Sequence, residues 1–256
     1  MASSPPPDYE LIYWPGIPGR GEFIRLLFED AGVPYLDTAK SADDDDAATR
    51  ALLQLVAPSN TGDATNGPVF ACPALKHGRL TLAQTPNILL YLAPRLGLAP
   101  PDDGLAIYHL NQIALTLLDA FANEVHDTHH PVSVSAHYRD QKPEAERRAR
   151  SYTRERLPKF LAYVQRLLDG DASGQGPWLH GGRCTYVDLV LFQGLDGTMF
   201  AFPKTVAKLR ESGKYDGVFQ LYEAVKQRPN IKAYLASERR VPYADGIWRH
   251  YPELDE

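Results

Sequence analysis

From Leu11 to Trp14 four bulky apolar and aromatic residues run together and stop at Pro15, a short strand pattern that leaves Tyr13 at the strand's end. Gly16, Pro18, Gly19 and Gly21 follow, predicting a turn-rich loop. From Gly21 the period changes: Phe23, Ile24, Leu26, Leu27, Phe28 and Ala31 make a broad helical face, and Gly32 stands where a helix closes. Between Lys40 and Gly67 an aspartate run, an Ala/Leu segment and a Ser/Asn/Thr/Gly cluster predict one helix and a loop. Val69 to Leu82 reads as two strands around a turn at His77 and Gly78, after which Thr85 supplies an N-cap and Pro86 a first-turn proline for a helix through Ala93.

Residues 97–104 are rich in Gly, Pro and Asp and form a natural linker, because every later periodic segment is helical. Helices are predicted over Leu105 to His126, Pro143 to Leu168 with a kink at Pro158, Thr185 to Phe202, and Phe219 to Ser237 with a break at Pro229. Thr185 and Asp188 are spaced as a capping box, with Cys184 and Leu189 as its hydrophobic staple. The organisation is therefore a disordered arm at 1–8, an α/β domain at 9–96, the linker at 97–104, an all-α domain at 105–240 and a tail at 241–256.

Composition narrows the classes. The 256 residues are 44% hydrophobic and 23% charged, ordinary for a globular protein, and no apolar run reaches the roughly 20 residues of a bilayer span. A net charge of -5 argues against nucleic acid as a partner, since phosphate binding needs uncompensated Lys and Arg. Cys72 and Cys184 are too few for a disulfide framework or a cysteine-rich zinc site and suit a reducing, cytoplasmic compartment. The first eight residues have neither the basic nor the apolar region of a signal peptide.

Three blocks in order carry a family resemblance. Leu11 to Pro15, with Gly19-Arg-Gly-Glu-Phe-Ile-Arg25 and Glu29 to Tyr35, resembles the start of tyrosine-type cytosolic glutathione transferases of the sigma, mu and pi kinds. Cys72-Pro73-Ala-Leu75 followed by Leu80 to Thr85 is similar to that family's proline turn and glutamine-plus-hydroxyl element, and Thr185 to Asp188 with Leu191 to Phe202 to its capped core helix. The resemblance spans roughly Tyr9 to Tyr234. It implies a thioredoxin-like βαβαββα domain followed by an α-helical bundle, glutathione as co-substrate, no metal, a small hydrophobic electrophile as second substrate, a detoxifying or biosynthetic role and a homodimer.

The residues fit that chemistry. A thiol of pKa about 8.5 is only about 3% ionised at pH 7, and lowering it by about 2 units needs roughly 2.7 kcal/mol of selective thiolate stabilisation. A hydrogen bond from Tyr13, aided by loop amides and the first helix, is of that order. Taken by type and position alone, Tyr13 is a strand aromatic, and the resemblance is what assigns it the thiol; Trp14 reads as core. The resemblance implies a cis bond at Pro73 that exposes the Cys72 backbone to the cysteinyl part of glutathione. Gln84 and Thr85, at a helix entrance, are assigned the γ-glutamyl carboxylate, with Thr85 also a simple N-cap. Arg20 holds the loop or the ligand, and Asp119 is either solvated or reaches the partner's glutathione. Arg50 is a candidate only, since 40–67 is longer than the family's segment. Arg25 is expected to pair with Glu22 or Glu29.

Two further readings stay open. His126 and His130 could share a helix face as metal ligands, but without a His-Glu-x-x-His motif or a thiol cluster they read as a helix-end cap or a polar wall of the electrophile pocket, to which Ile17, Pro18, Tyr108 and Trp248 to Tyr251 are also assigned. The alternatives to a transferase are a catalytically weak binding or regulatory protein, or a glutathione-dependent peroxidase or thiol transferase; against the last, the strand-loop position where a cysteine is expected holds Tyr13 and Trp14.

Overall fold

The computed structural model describes residues 7–41, 45–100 and 104–256. Most of the predicted arm, the start of the aspartate run and three residues of the linker therefore lie outside the described residues. Strand β1 (Tyr9–Ile12) leads through a loop to α1 (Gly21–Ala31), then to β2 (Leu36–Asp37), α2 (Thr38–Ser41), α3 (Asp45–Leu55), the hairpin β3 (Ala74–His77) and β4 (Leu80–Ala83), and α4 (Thr85–Arg95). The sheet order is β2-β1-β3-β4. β1 runs parallel to β2 because α1 makes the crossover, and β3 pairs antiparallel with β1 and β4. This is the thioredoxin-like arrangement, and all strands among the described residues lie in it.

Gly32 closes α1 at φ 65°, with its N–H on the Glu29 carbonyl and the Val33 N–H on that of Phe28. Only glycine takes that left-handed angle without cost. β2 spans two residues, too short for an alternating pattern to reveal it.

The second domain is helical: α5 (Ala106–Leu118), α6 (Glu124–His129), α7 (Lys142–Ser151), α8 (Leu157–Leu168), α9 (Tyr186–Ala201), α10 (Pro203–Glu211), α11 (Asp216–Lys226) and α12 (Pro229–Leu235). π-helical turns at Asp119–Asn123 and Tyr152–Arg156 join α5 to α6 and α7 to α8. The second falls just before Pro158, which has no N–H to continue an α-helical ladder. α9 is apolar nearly all round and is accordingly the buried centre of the bundle. Its entrance has the expected cap: the Asp188 carboxylate accepts the Thr185 N–H at 2.7 Å, the Thr185 hydroxyl at 2.8 Å and the Leu179 N–H at 2.9 Å. α10 was not expected.

One core runs through both domains, from Leu11 and Phe28 to Phe192 and Tyr234. A buried charge network crosses the same junction. Arg25, fully buried, bonds Asp37 at 2.7 Å and Glu22 at 3.2 Å, and Glu22 also accepts the Tyr234 hydroxyl at 2.7 Å and Arg240. The predicted Glu22 pairing thus holds; Glu29 instead meets Arg239 and Tyr35.

Two side chains depart from expectation. Trp14, expected in the core, is 36% exposed: β1 ends at Ile12, and the tryptophan lies beyond it in the loop. Trp248, assigned to a pocket wall, is 1% exposed: its indole N–H donates to the Phe121 carbonyl at 2.9 Å, and a Cβ on Gly197 would lie 2.3 Å from the indole ring. The tail is consequently part of the core, and Asp255 at its end caps α10 by accepting the Lys204 and Thr205 N–H groups.

Candidate active site

β1 ends at Ile12 and delivers Tyr13 beneath the Gly16 to Gly21 loop. The loop fits over the ring only because it is glycine-rich: a Cβ on Gly19 would lie 2.2 Å from the Tyr13 hydroxyl, and one on Gly21 would lie 2.7 Å from the ring. Gly19 also sits at φ 43°. The Arg20 N–H donates to the Tyr13 oxygen at 2.8 Å, so the phenol's own hydrogen is free to point elsewhere. Burial raises the Tyr13 pKa, outweighing the opposing hydrogen bond and charge of Arg20, and the phenol stays protonated at neutral pH.

Beside this tyrosine lies a cleft of about 350 Å³ between the two domains, lined by Arg20, Cys72, Pro73, Gln84, Thr85 and Asp119. Six of the seven residues assigned to substrate thus converge, from the first loop, the turn before β3, the start of α4 and the start of the first π turn. Tyr13, 5% exposed, is not among the lining residues and meets them through the Arg20 N–H. Arg50 does not join them: it is on the exposed side of α3 and does not line the cleft.

Three local features distinguish the cleft. The Cys72-Pro73 bond is cis. Gln84 takes φ 69° and ψ 117°, a conformation that costs a non-glycine residue of order 1–3 kcal/mol and persists where surrounding structure enforces it. Thr85 is 4% exposed, and its hydroxyl has no hydrogen-bond partner. That corrects the N-cap reading: Gln84, not Thr85, precedes the helix, no side chain caps it, and Pro86 lies in its first turn. The Thr85 hydroxyl faces the cleft without a partner in the protein.

On the opposite wall the Arg20 guanidinium bonds the Asn123 side-chain oxygen at 2.7 Å, and the Asn123 amide donates to Asp119 at 2.9 Å. Asn123 was missed in the sequence because it carries no charge and sits in a π turn that helical periodicity does not reveal. Burial pushes the Cys72 thiol up to about 11, so it is neither a thiolate nor a ready partner for disulfide exchange.

Farther along the same helix, His126, His129 and His130 gather at the end of α6. Burial lowers all three, His126 to about 4, with the charge of Arg249 acting in the same direction on each. The charge of Arg20 adds to the lowering at His126.

The site thus combines a thioredoxin-like sheet, a cis-proline turn and a cleft at a helix start that faces the helical domain. Residues 126–238 match the family model described as glutathione S-transferase, C-terminal domain. Over 239 residues the chain is 22% identical to the glutathione S-transferase of Plasmodium falciparum (isolate 3D7), covering 92% of this chain and 99% of that one. It is 26% identical to a glutathione S-transferase P of Caenorhabditis elegans, over 86% and 88% of the two chains. Among solved structures, the glutathione S-transferase of Ascaris lumbricoides superposes with a TM-score of 0.65 at 22% identity, covering 93% and 100%, and the Onchocerca volvulus pi-class enzyme with 0.63 at 21%, covering 89% and 92%. The helical domain thus matches a glutathione S-transferase family model over residues 126–238, and the chain is similar to glutathione S-transferases along most of its length.

Proposed function

We propose that the protein is a glutathione transferase that holds the glutathione thiol as a thiolate with Tyr13 and directs it at an electrophilic carbon of a hydrophobic molecule. The observation that carries this reading is the Tyr13 phenol, whose oxygen accepts the Arg20 N–H, next to a cleft in which the Thr85 hydroxyl lacks a partner. In it the Cys72 backbone pairs with the cysteinyl unit, Gln84, Thr85 and the helix start receive the γ-glutamyl carboxylate, and Arg20, fixed by Asn123, holds the loop over the sulfur. The thiolate attacks the carbon, the sulfur–carbon bond forms as the leaving group departs or the double bond takes a proton, and the phenol keeps its proton throughout.

The same reading places the protein in the cytoplasm and makes it a homodimer. No helix among the described residues is long and apolar enough to cross a membrane. Phe70, 90% exposed at the cleft's mouth, and Leu115, 44% exposed on the facing helix, offer apolar surface to a second copy. Light scattering at micromolar concentration that finds only the 28.5 kDa monomer excludes the dimer.

Retention on immobilised glutathione together with turnover of a panel of electrophiles tests the activity. Tight retention without turnover of any electrophile would assign the chain to binding or regulation instead.

A further inference from the structure

The sequence offered His126 and His130 as a pair on one helix face; the fold adds a third imidazole. α6 ends at His129, and His130 leaves the helix at φ -133° and ψ 59° while its N–H still bonds the His126 carbonyl at 3.1 Å. This break in the spiral lets two adjacent residues aim at one point. His126 and His130 stack at 5.3 Å with a 21° interplanar angle, and His129 stands edge-on to both, at 4.9 Å and 4.7 Å. One nitrogen from each ring lies within 4.8 Å of the others. His129 and His130 approach through their Nδ1 atoms, and the Nε2 atom of His129 is bonded to the Ile247 carbonyl at 2.8 Å. A carbonyl accepts only, so Nε2 carries the proton and Nδ1 of His129 presents a lone pair to the centre.

We propose that His126, His129 and His130 form a binding site for a single divalent transition-metal ion of the zinc class. Bonds of about 2.0–2.1 Å to nitrogen place two tetrahedral ligands about 3.4 Å apart, so side-chain adjustments of about an ångström close the present cluster on an ion. The imidazole-only donor set suits Zn²⁺, Co²⁺, Ni²⁺ or Cu²⁺ and does not suit Mg²⁺ or Ca²⁺, which take oxygen ligands. The Ile247 carbonyl acts as the outer partner that fixes the tautomer and orientation of a ligating histidine. It also belongs to the tail, so the ion would tie the tail to α6. The Arg249 charge is felt at all three rings and opposes a bare cation, which favours an anionic fourth ligand such as hydroxide. The inference does not rest on the transferase reading.

The test uses untagged, full-length protein, with Zn²⁺ titrated in competition with a chromophoric chelator and Co²⁺ as the spectroscopic probe. Wild type should bind one equivalent of Zn²⁺ and give the intense visible bands of four-coordinate Co²⁺, without the thiolate charge-transfer band that Cys72 or Cys184 would produce. His126→Ala, at the partly exposed member of the cluster, should weaken Zn²⁺ at least tenfold, and Arg249→Gln should tighten it. The Co²⁺ spectrum of the wild type alone keeps the proposal falsifiable where a variant fails to fold. A weak octahedral spectrum, a thiolate band, or Zn²⁺ affinity equal in wild type and a folded His126→Ala would overturn it.

Discussion

Replacing Tyr13 by phenylalanine removes one oxygen from a ring held by the sheet below and two glycines above. In the resting protein that oxygen accepts the Arg20 N–H at 2.8 Å, and the free hydrogen is what the mechanism directs at the sulfur. A hydrogen bond to a charged group is worth about 1.5–3 kcal/mol, and 1.36 kcal/mol corresponds to one pKa unit, so the bound thiol should rise by about 1 to 2 units. Turnover at pH 6.5 should fall roughly tenfold to a hundredfold, while glutathione affinity changes little, because in the proposed binding mode Cys72, Gln84 and Thr85 hold the peptide. The sign with pH follows from the thiol: as pH rises past its shifted pKa, solvent removes the proton unaided, and the defect shrinks. The variant also strands the Arg20 amide, a separate cost of about 1–3 kcal/mol visible in thermal unfolding without glutathione. The assay is thiolate absorbance of the glutathione complex against pH, with rates on one electrophile. Full activity at pH 6.5 with unchanged thiolate absorbance refutes the assignment and turns attention to the loop amides and Arg20.

Thr85→Val should weaken glutathione by about tenfold yet leave thermal stability unchanged, since the lost hydroxyl has no partner in the protein; calorimetry and unfolding read the two effects separately. Burial alone would raise the Glu22 pKa, but Arg240 and Arg25 more than offset it and hold the carboxylate below its usual range. Its stabilisation is therefore complete above its unfolded pKa of about 4.3 and disappears as pH falls below that; Glu22→Gln should lower the wild-type melting temperature at pH 7 and flatten its fall in acid, and parallel curves for the two proteins would discount the network. Trp248→Ala should destabilise by about 3–5 kcal/mol in denaturant titrations, as expected of a core residue, whereas a change confined to electrophile preference would restore it to a pocket wall. Thr185→Ala should cost about 1 kcal/mol in the same titration with the pH–rate profile unmoved, and unchanged unfolding would remove its capping role.

What the sequence revealed and what it hid divide along physical lines. Gly32 and the Thr185–Asp188 cap were legible because each depends on neighbours in the chain, a left-handed angle and a three-residue spacing, whereas the cis bond at Pro73 was implied only by the family resemblance. Interactions between distant segments left no such mark. Trp248 is buried because Gly197, 51 positions earlier in the numbering, has no side chain to occupy its place, and no local pattern announces that. Arg50 was a guess in a segment without a motif, and the fold carries it away from the cleft. His129 was passed over although it stands three residues after His126; what local spacing hid is the break at His130, which lets two adjacent imidazoles face one point.

Arg25 shows how the parts the sequence could not join bear on the site. A fully buried guanidinium is expensive, and exchanging such ion pairs for apolar residues is often neutral or stabilising, so the Glu22–Arg25–Asp37 network is weak evidence of stability in itself. Its geometry supplies another reason for its presence. One Arg25 nitrogen, besides meeting Glu22, donates to the Pro18 carbonyl at 3.2 Å, and the guanidinium lies 5.8 Å from the centre of the Tyr13 ring. Pro18 is two residues before Arg20, whose amide holds the Tyr13 oxygen. Because Asp37 follows the crossover and Tyr234 and Arg240 reach Glu22 from the helical domain, the loop over the phenol is fixed by both domains at once. The hydrogen bond proposed from Tyr13 to a sulfur needs its donor placed within about half an ångström, and a glycine-rich loop cannot provide that alone. The buried charges supply the rigidity that the glycines, required to clear the ring, give up.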